Sequence, residues 1–179
     1  MGDASYEPPA AQALRAQAHA ASDQRRDLAA RSHAAYQRGD GHEAKQLSSE
    51  GKQAEARASE LNAQAARLTF EHNNRTHPPD TIDLHGLRVD EAMARIEERI
   101  KRDKAKGATH VVVIVGAGIH SQGGIAKIKP AAIALFQKLK VVATVDKPNH
   151  GCIYVELNGG DKPAAAHKQD EEAAQCVIM

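Results

Sequence analysis

Val111-Val112-Val113-Ile114-Val115-Gly116-Ala117-Gly118-Ile119-His120-Ser121-Gln122-Gly123-Gly124 is the stretch that decides the fold of this 179-residue chain. An unbroken apolar, β-branched run leads straight into a glycine-rich turn, and a helical pattern begins at Ile128. The run reads as a central strand covered on both faces. Its C-terminal end delivers a loop of the kind in which α/β sheets bind ligands. Outward from there the chain alternates. Thr81-Ile82-Asp83-Leu84 reads as a short strand. Val89, Ala92, Met93, Ile96 and Ile100 make one helical stripe, followed by basic Lys101-Arg102 and Lys104-Ala105-Lys106, which suits a helix C-terminus. Residues 128–139 form a second helical pattern, with Pro130 acceptable only in its first turn. Residues 141–145 and 152–157 read as two further strands around Lys147-Pro148-Asn149-His150-Gly151. The order β-α-β-α-β-β predicts a two-layer α/β domain over residues 77–160.

Residues 1–76 have a different character. They hold ten Lys/Arg against ten Asp/Glu and are rich in Ala. Ala44, Leu47, Gly51, Ala54, Ala58, Leu61, Ala65 and Leu68 step alternately by three and four, an a/d seam sustained over more than three heptads. Leu14, Ala18, Ala21, Leu28 and Ala35 repeat a weaker version of it before Gly39-Asp40-Gly41. Two helices joined at those glycines should fold back as an antiparallel α-helical hairpin. At about 25 cal/mol per Å² an Ala seam contributes little, so the hairpin is expected to lean on the α/β domain or on a second chain.

Composition narrows the function classes. Apolar residues make up 41% and aromatics 3%, and no apolar run approaches the roughly 20 residues of a membrane-crossing helix. Two cysteines are too few for a disulfide scaffold. The first residues lack a signal-peptide pattern, which leads to the expectation of a cytoplasmic protein. For the same reason Asn74-Arg75-Thr76, formally a glycosylation acceptor, carries no weight. A net charge of +1 gives no global nucleic-acid signature. Locally, residues 77–160 carry twelve basic and nine acidic side chains, a net +3, while residues 161–179 are net −2 and read as a flexible tail.

Asp83 and His85 stand two apart at the end of the first predicted strand, so both project to the face opposite Ile82 and Leu84, expected to be open. A carboxylate beside an imidazole orients the ring and raises its basicity, which suits acid–base chemistry near neutral pH. Gly86 lets the backbone turn sharply behind them. In the glycine loop, amides of Gly116 and Gly118 can approach an anion, His120 and Ser121 add a titratable group and a hydroxyl, and Lys127 and Lys129 follow. The loop is neither G-x-G-x-x-G nor a Walker loop. With the local +3 charge, a phosphodiester ligand is the better reading. His85, His120, His150 and Asp83 lack metal-site spacing, and Cys152 reads as a small core residue.

Asp83-Leu84-His85-Gly86-Leu87 with Glu91-Ala92, then Gly116-Ala117-Gly118-Ile119-His120-Ser121, then Ala126-Lys127-Ile128-Lys129-Pro130-Ala131 together resemble the Smr (small MutS-related) domain over residues 80–158. Residues 8–76, with Tyr36-Gln37-Arg38-Gly39-Asp40 and Ala44-Lys45-Gln46-Leu47-Ser48, resemble the helical domain of unknown function that often precedes Smr. The resemblance implies a fold like the C-terminal domain of bacterial translation initiation factor three. It also implies nucleic-acid binding, with RNA endonuclease or DNA-nicking activity. The family's D-x-H motif falls on Asp83 and His85 and its glycine loop on Gly116 and Gly118. Many members carry G-K-G where this chain has Gly116-Ala117-Gly118, so a phosphate-facing lysine is missing.

Two functions follow as expectations. One is an endonuclease in which Asp83, His85 and His120 are the catalytic candidates and Gly116, Gly118, Ser121, Lys127 and Lys129 bind phosphate. It needs no cofactor on RNA, where the 2′-hydroxyl attacks, and a divalent cation on DNA, where water attacks. The other, favoured by Ala117, is a non-catalytic module that grips nucleic acid or a protein.

Cys176-Val177-Ile178-Met179 ends the sequence as a C-a-a-X box favouring farnesyl. One prenyl chain without a second signal gives only reversible membrane contact. Expressed in a eukaryotic host, the chain is expected to carry one farnesyl group on Cys176. An intact mass showing an unmodified cysteine overturns this.

Overall fold

The computed structural model describes residues 7–117 and 126–158. Two long helices come first: α1 (Pro9–Gln37) and α2 (Gly41–Asn73). The α/β unit follows with β1 (Thr81–Asp83), α3 (Val89–Ala105), β2 (His110–Ile114), α4 (Ile128–Lys138), β3 (Val142–Val145) and β4 (Cys152–Glu156). The order is the one expected from the sequence.

The hairpin turn is built as its residues predict. Gly39 takes a left-handed conformation (φ +83°) past the end of α1, and Asp40 caps α2 by accepting the Glu43 amide at 2.9 Å. Leu28, Ala35, Ala44, Leu47 and Ala54 form the apolar centre of the pair. Gly51 lets the helices approach closely, since a Cβ there would stand 3.8 Å from that of Leu28. The heptad does not persist to the end of α2. Leu61 and Leu68 are only half-buried, and the buried stripe continues through Ala65, Thr69 and Asn73. Here the helix turns its face toward the α/β unit, where Ala66 and Phe70 pack against the main core.

That packing decides where the hairpin leans. Arg15 of α1 forks onto Glu91 of α3, each nitrogen–oxygen distance being 2.7 Å, and also reaches Asn62 of α2 at 3.1 Å. Burial works against the Arg15 charge, but the hydrogen bonds and charges of Glu91 and Glu7 outweigh it and hold its pKa above the ordinary value. Arg95 of α3 lies 4.6 Å over the Phe70 ring.

The sheet runs β1-β2-β4-β3, with β1 and β2 parallel and the other neighbours antiparallel. One face, carrying Ile82, Val111, Val113, Ile153 and Val155, packs on Ile96 and Ile100 of α3 and on Phe136 of α4. The central run is therefore not covered on both faces. Val111, Val113 and Val115 are buried, whereas Val112 and Ile114 are half-buried, because both helices lie on one side. Tyr154, beside Val112 on that second face, stacks on His110 at 5.0 Å and carries the Lys147 ammonium at 4.4 Å.

Two charged residues are buried in α3. Arg99 binds the Asp103 carboxylate, the Thr81 carbonyl at 3.1 Å and the Pro79 carbonyl, tying the segment before β1 to the helix. No helix among the described residues is long and apolar enough to cross a membrane.

The Arg15–Glu91 fork joins two largely buried side chains and is expected to carry a coupling of about 1–3 kcal/mol. A double-mutant cycle of Arg15→Ala and Glu91→Ala, read by urea denaturation, measures it. A coupling near zero would mean the fork adds nothing to the docking of the hairpin.

Candidate active site

β1 is a three-residue edge strand, and its outer side is closed by the end of the hairpin. Asn74, the C-cap of α2, takes both backbone groups of one strand residue. The Asp83 amide donates to Asn74 Oδ1 at 2.8 Å, and Asn74 Nδ2 donates to the Asp83 carbonyl at 2.7 Å. The neighbouring Asn73 donates its side-chain amide to the His85 carbonyl at 2.8 Å.

The Asp83 side chain is only 6% exposed, and its two oxygens are divided. Oδ1 accepts the His85 backbone amide at 2.9 Å and lies 2.6 Å from His85 Nδ1. Oδ2 lies 3.2 Å from Nε2 of His77, in the segment between α2 and β1. With the carboxylate ionised, both rings donate to it, which leaves His85 Nε2 as the basic nitrogen; this tautomer follows from the partners. The face predicted to be open is therefore not open at Asp83, whose carboxylate is buried between His85 and His77. The His85 side chain remains 24% exposed and so retains access.

Behind His85 the chain turns at Gly86 (φ +77°), closed by the Leu87 amide on the Leu84 carbonyl at 3.2 Å. The glycine turn after β2 comes to the same place. Gly116 has φ +75°, and a Cβ on it would stand 3.5 Å from the His85 Cβ. The two motifs, some thirty residues apart in sequence, thus abut. Gly116 is held from behind by Gly151: the Val115 and Gly116 amides both donate to the Gly151 carbonyl, at 2.8 and 3.1 Å. This corrects one expectation. The Gly116 amide has a partner within the fold, so the residue's contribution is close approach rather than a bond to phosphate.

Lys129 and Lys127 do not act as a matched pair. Lys129, in the first turn of α4, binds Asp146 Oδ1 at 2.7 Å, while Lys127 is exposed at the N-cap. The Lys129 hydrogen bond, with help from Gly151 and His150, holds the Asp146 carboxyl below its ordinary pKa despite some desolvation. A depressed carboxyl contributes stability at neutral pH that is lost as pH falls through its folded-state value. Cys152 is buried as expected; burial pushes its thiol pKa up, only partly opposed by Asn149. Gly118, His120, Ser121 and Cys176 lie outside the described residues. Among the described residues, no cluster of three or more His, Cys, Asp or Glu is placed to hold a metal ion. A cleft of about 660 Å³ lies between the end of α2, the segment entering β1 and α3, with Asn74, His77, Arg95, Arg102 and Lys106 among its walls; His85 is not one of them.

A parallel edge strand ending in Asp-x-His beside a glycine turn, preceded by a docked helical hairpin, defines a two-domain arrangement that the sequence comparisons identify. Residues 12–74 match the domain of unknown function DUF1771, and residues 82–158 match the Smr domain. The chain carries a DUF1771 domain followed by an Smr domain. It is 39% identical over 148 residues to Endonuclease NBR9 of Saccharomyces cerevisiae, covering 83% of this chain and 62% of that protein. It is 36% identical over 129 residues to an Smr domain-containing protein of Schizosaccharomyces pombe, covering 72% and 62%. The chain thus spans somewhat under two thirds of these relatives. It is 34% identical over 149 residues to NEDD4-binding protein 2 of Homo sapiens, covering 80% of this chain and 8% of that protein. Among solved structures, the B3BP Smr domain in solution is 37% identical, with a TM-score of 0.44, over 55% of this chain and 98% of that one.

His77, Asn73 and Asn74 were not legible as site residues, because nothing in local spacing links the end of a helix to a strand beyond Pro78-Pro79. Gly151 is the residue on which the glycine turn rests. It has φ +96°, and an added Cβ would meet the Ala117 nitrogen at 3.1 Å and the Gly116 carbonyl carbon at 3.2 Å. Gly151→Ala is expected to lower stability by about 1–3 kcal/mol. Gly39→Ala, strained in φ but with open space around it, should cost about 1 kcal/mol or less. Equal denaturation midpoints for the two variants would remove the turn's dependence on Gly151.

Proposed function

We propose that this protein is an Smr-type endonuclease that cleaves RNA phosphodiester bonds. The observation that carries the reading is the His85 ring, held at Nδ1 by a buried carboxylate at 2.6 Å, partly exposed, and flanked by the left-handed turn at Gly116. The similarity to the relative named Endonuclease NBR9 lends the reading support.

In this reading Nε2 of His85 takes the proton from a ribose 2′-hydroxyl as its oxygen bonds to phosphorus. The bond from phosphorus to the 5′-oxygen breaks, and that oxygen leaves with a proton from His120 or from water. The products are a 2′,3′-cyclic phosphate and a 5′-hydroxyl. Asp83 acts through His85: it fixes the tautomer and stabilises the imidazolium that forms. Gly118, Ser121 and Lys127 are the proposed phosphate contacts. Lys129 is a weaker candidate while it is bound to Asp146. On DNA, water would have to attack, and a divalent cation would then supply the activation that the 2′-hydroxyl makes unnecessary.

The second reading is a binding module for nucleic acid or protein that does not cut. Ala117 in place of the family's lysine and the internal partner of the Gly116 amide both favour it. In either reading a farnesyl group on Cys176 would add reversible membrane contact to a cytoplasmic protein.

Structured RNA and supercoiled plasmid, incubated with excess protein with and without chelator, separate the readings. Cleavage of RNA in chelator, leaving cyclic-phosphate ends, is expected. His85→Ala should lower the rate by about 10²–10⁴-fold while leaving the thermal midpoint within a few degrees. Intact substrates at high protein excess select the binding module, and unchanged turnover in His85→Ala removes that residue from the reaction.

A further inference from the structure

The helical domain ends in the site. Asn73 and Asn74 close α2, and His77 stands three residues further on, before β1 begins at Thr81. We propose that residues 73–77 are a working part of the Smr site: Asn74 and His77 are positioning residues that fix Asp83 and, through it, the tautomer and orientation of His85, and Asn73 fixes the His85 backbone. This rests on the endonuclease reading for its effect on rate, but not for its geometry.

A strand of three residues has little to hold it, and at its outer edge Asp83 would otherwise offer its amide and carbonyl to water. Asn74 takes both, at 2.8 and 2.7 Å, and so stands in for a neighbouring strand at that one residue. Asn73 then holds the carbonyl of His85 at 2.8 Å. Its amide also lies 3.5 Å from His85 Nδ1, but a nitrogen already donating to Asp83 accepts nothing from it. His77 completes the cradle from the side chain. A carboxylate held only through Oδ1 can rotate about its terminal bond and exchange its oxygens; with His77 on Oδ2 at 3.2 Å, rotation breaks three contacts at once, two on Oδ1 and one on Oδ2. The pairing of a carboxylate with an imidazole orients the ring only if the carboxylate is itself held.

The helical domain therefore supplies more than support from below. The Arg15–Glu91 fork and the Phe70 contact seat the root of the hairpin, and its last residues reach the strand carrying the reactive couple.

The test uses the full chain and two readouts. First, Asn74→Ala, His77→Ala and His77→Gln are compared for RNA cleavage. Asn74→Ala and His77→Ala should lower kcat roughly ten- to a hundredfold with KM within about twofold. His77→Gln retains a donor toward Oδ2 and should recover most of the loss. Second, the ring nitrogens of His85 are followed by NMR at neutral pH, with His85→Gln identifying their signals. The wild-type ring should be a single tautomer protonated at Nδ1, and His77→Ala should show a mixture. His77 is partly exposed in a connecting segment, so this variant tests the proposal even if Asn74→Ala fails to fold. A chain that cuts no RNA defeats the endonuclease reading and leaves the NMR measurement to decide this one. An unchanged His85 tautomer in His77→Ala, or kcat loss that His77→Gln does not relieve, overturns the proposal.

Discussion

A three-residue strand at the edge of a sheet depends on whatever covers its outer side, and here its last residue is covered by a single carboxamide. Inwardly β1 pairs with β2, Thr81 against Val112 through Asp83 against Ile114. Outwardly Asn74 meets the amide and the carbonyl of Asp83 together. Each such bond is worth about 1 kcal/mol net, but a buried backbone group left without a partner costs about 1–3 kcal/mol. The pair therefore matters more for what its loss would expose than for what it adds. Among the described residues no buried side-chain nitrogen or oxygen lacks a partner, so the polar surroundings of Asp83 are fully satisfied.

The rest of the molecule follows from that arrangement. Both helices of the α/β unit occupy one face of the sheet and leave the other partly uncovered. The thin seam of the hairpin is consistent with this. Ala, Gly and two Leu residues bring α1 and α2 close, but the larger side chains at the root, Phe70 and Arg15, turn outward to the α/β unit. Arg99 performs a similar service below β1. Its guanidinium gathers the carbonyls of Pro79 and Thr81 against Asp103, so the segment entering the strand is held by a buried ion pair instead of by a ladder.

Element order and most of the core were legible because they depend on local periodicity. The stripe of α3, the first-turn position of Pro130 and the left-handed Gly86 all follow from spacing and backbone chemistry. The adjacency of Asp83-x-His85 to the glycine turn comes from the pairing of β1 with β2, since both stand at the same end of parallel neighbours. What escaped depends on docking. Whether residues 111–115 are covered on one face or two is decided by where α3 and α4 pack, which no run of valines records. The partner of the Gly116 amide sits at Gly151, beyond a helix and a strand. Asn73, Asn74 and His77 look, in sequence, like the frayed end of a helix and a linker ahead of two prolines. Arg99 looks like one more surface cation on a basic helix, and only its burial reveals otherwise.

The hairpin's length has a mechanical consequence. Its helices have 29 and 33 residues, and at 1.5 Å per residue each is a rod of roughly 45 Å. The bend at Gly39 is thus a lever's far end, with the fulcrum at Arg15, Phe70 and Asn74. A tilt of about five degrees at the fulcrum would swing that end by roughly 4 Å. Read in reverse, a load applied at the distal bend is delivered, with mechanical advantage, to the residues that grip the acid of the reactive couple.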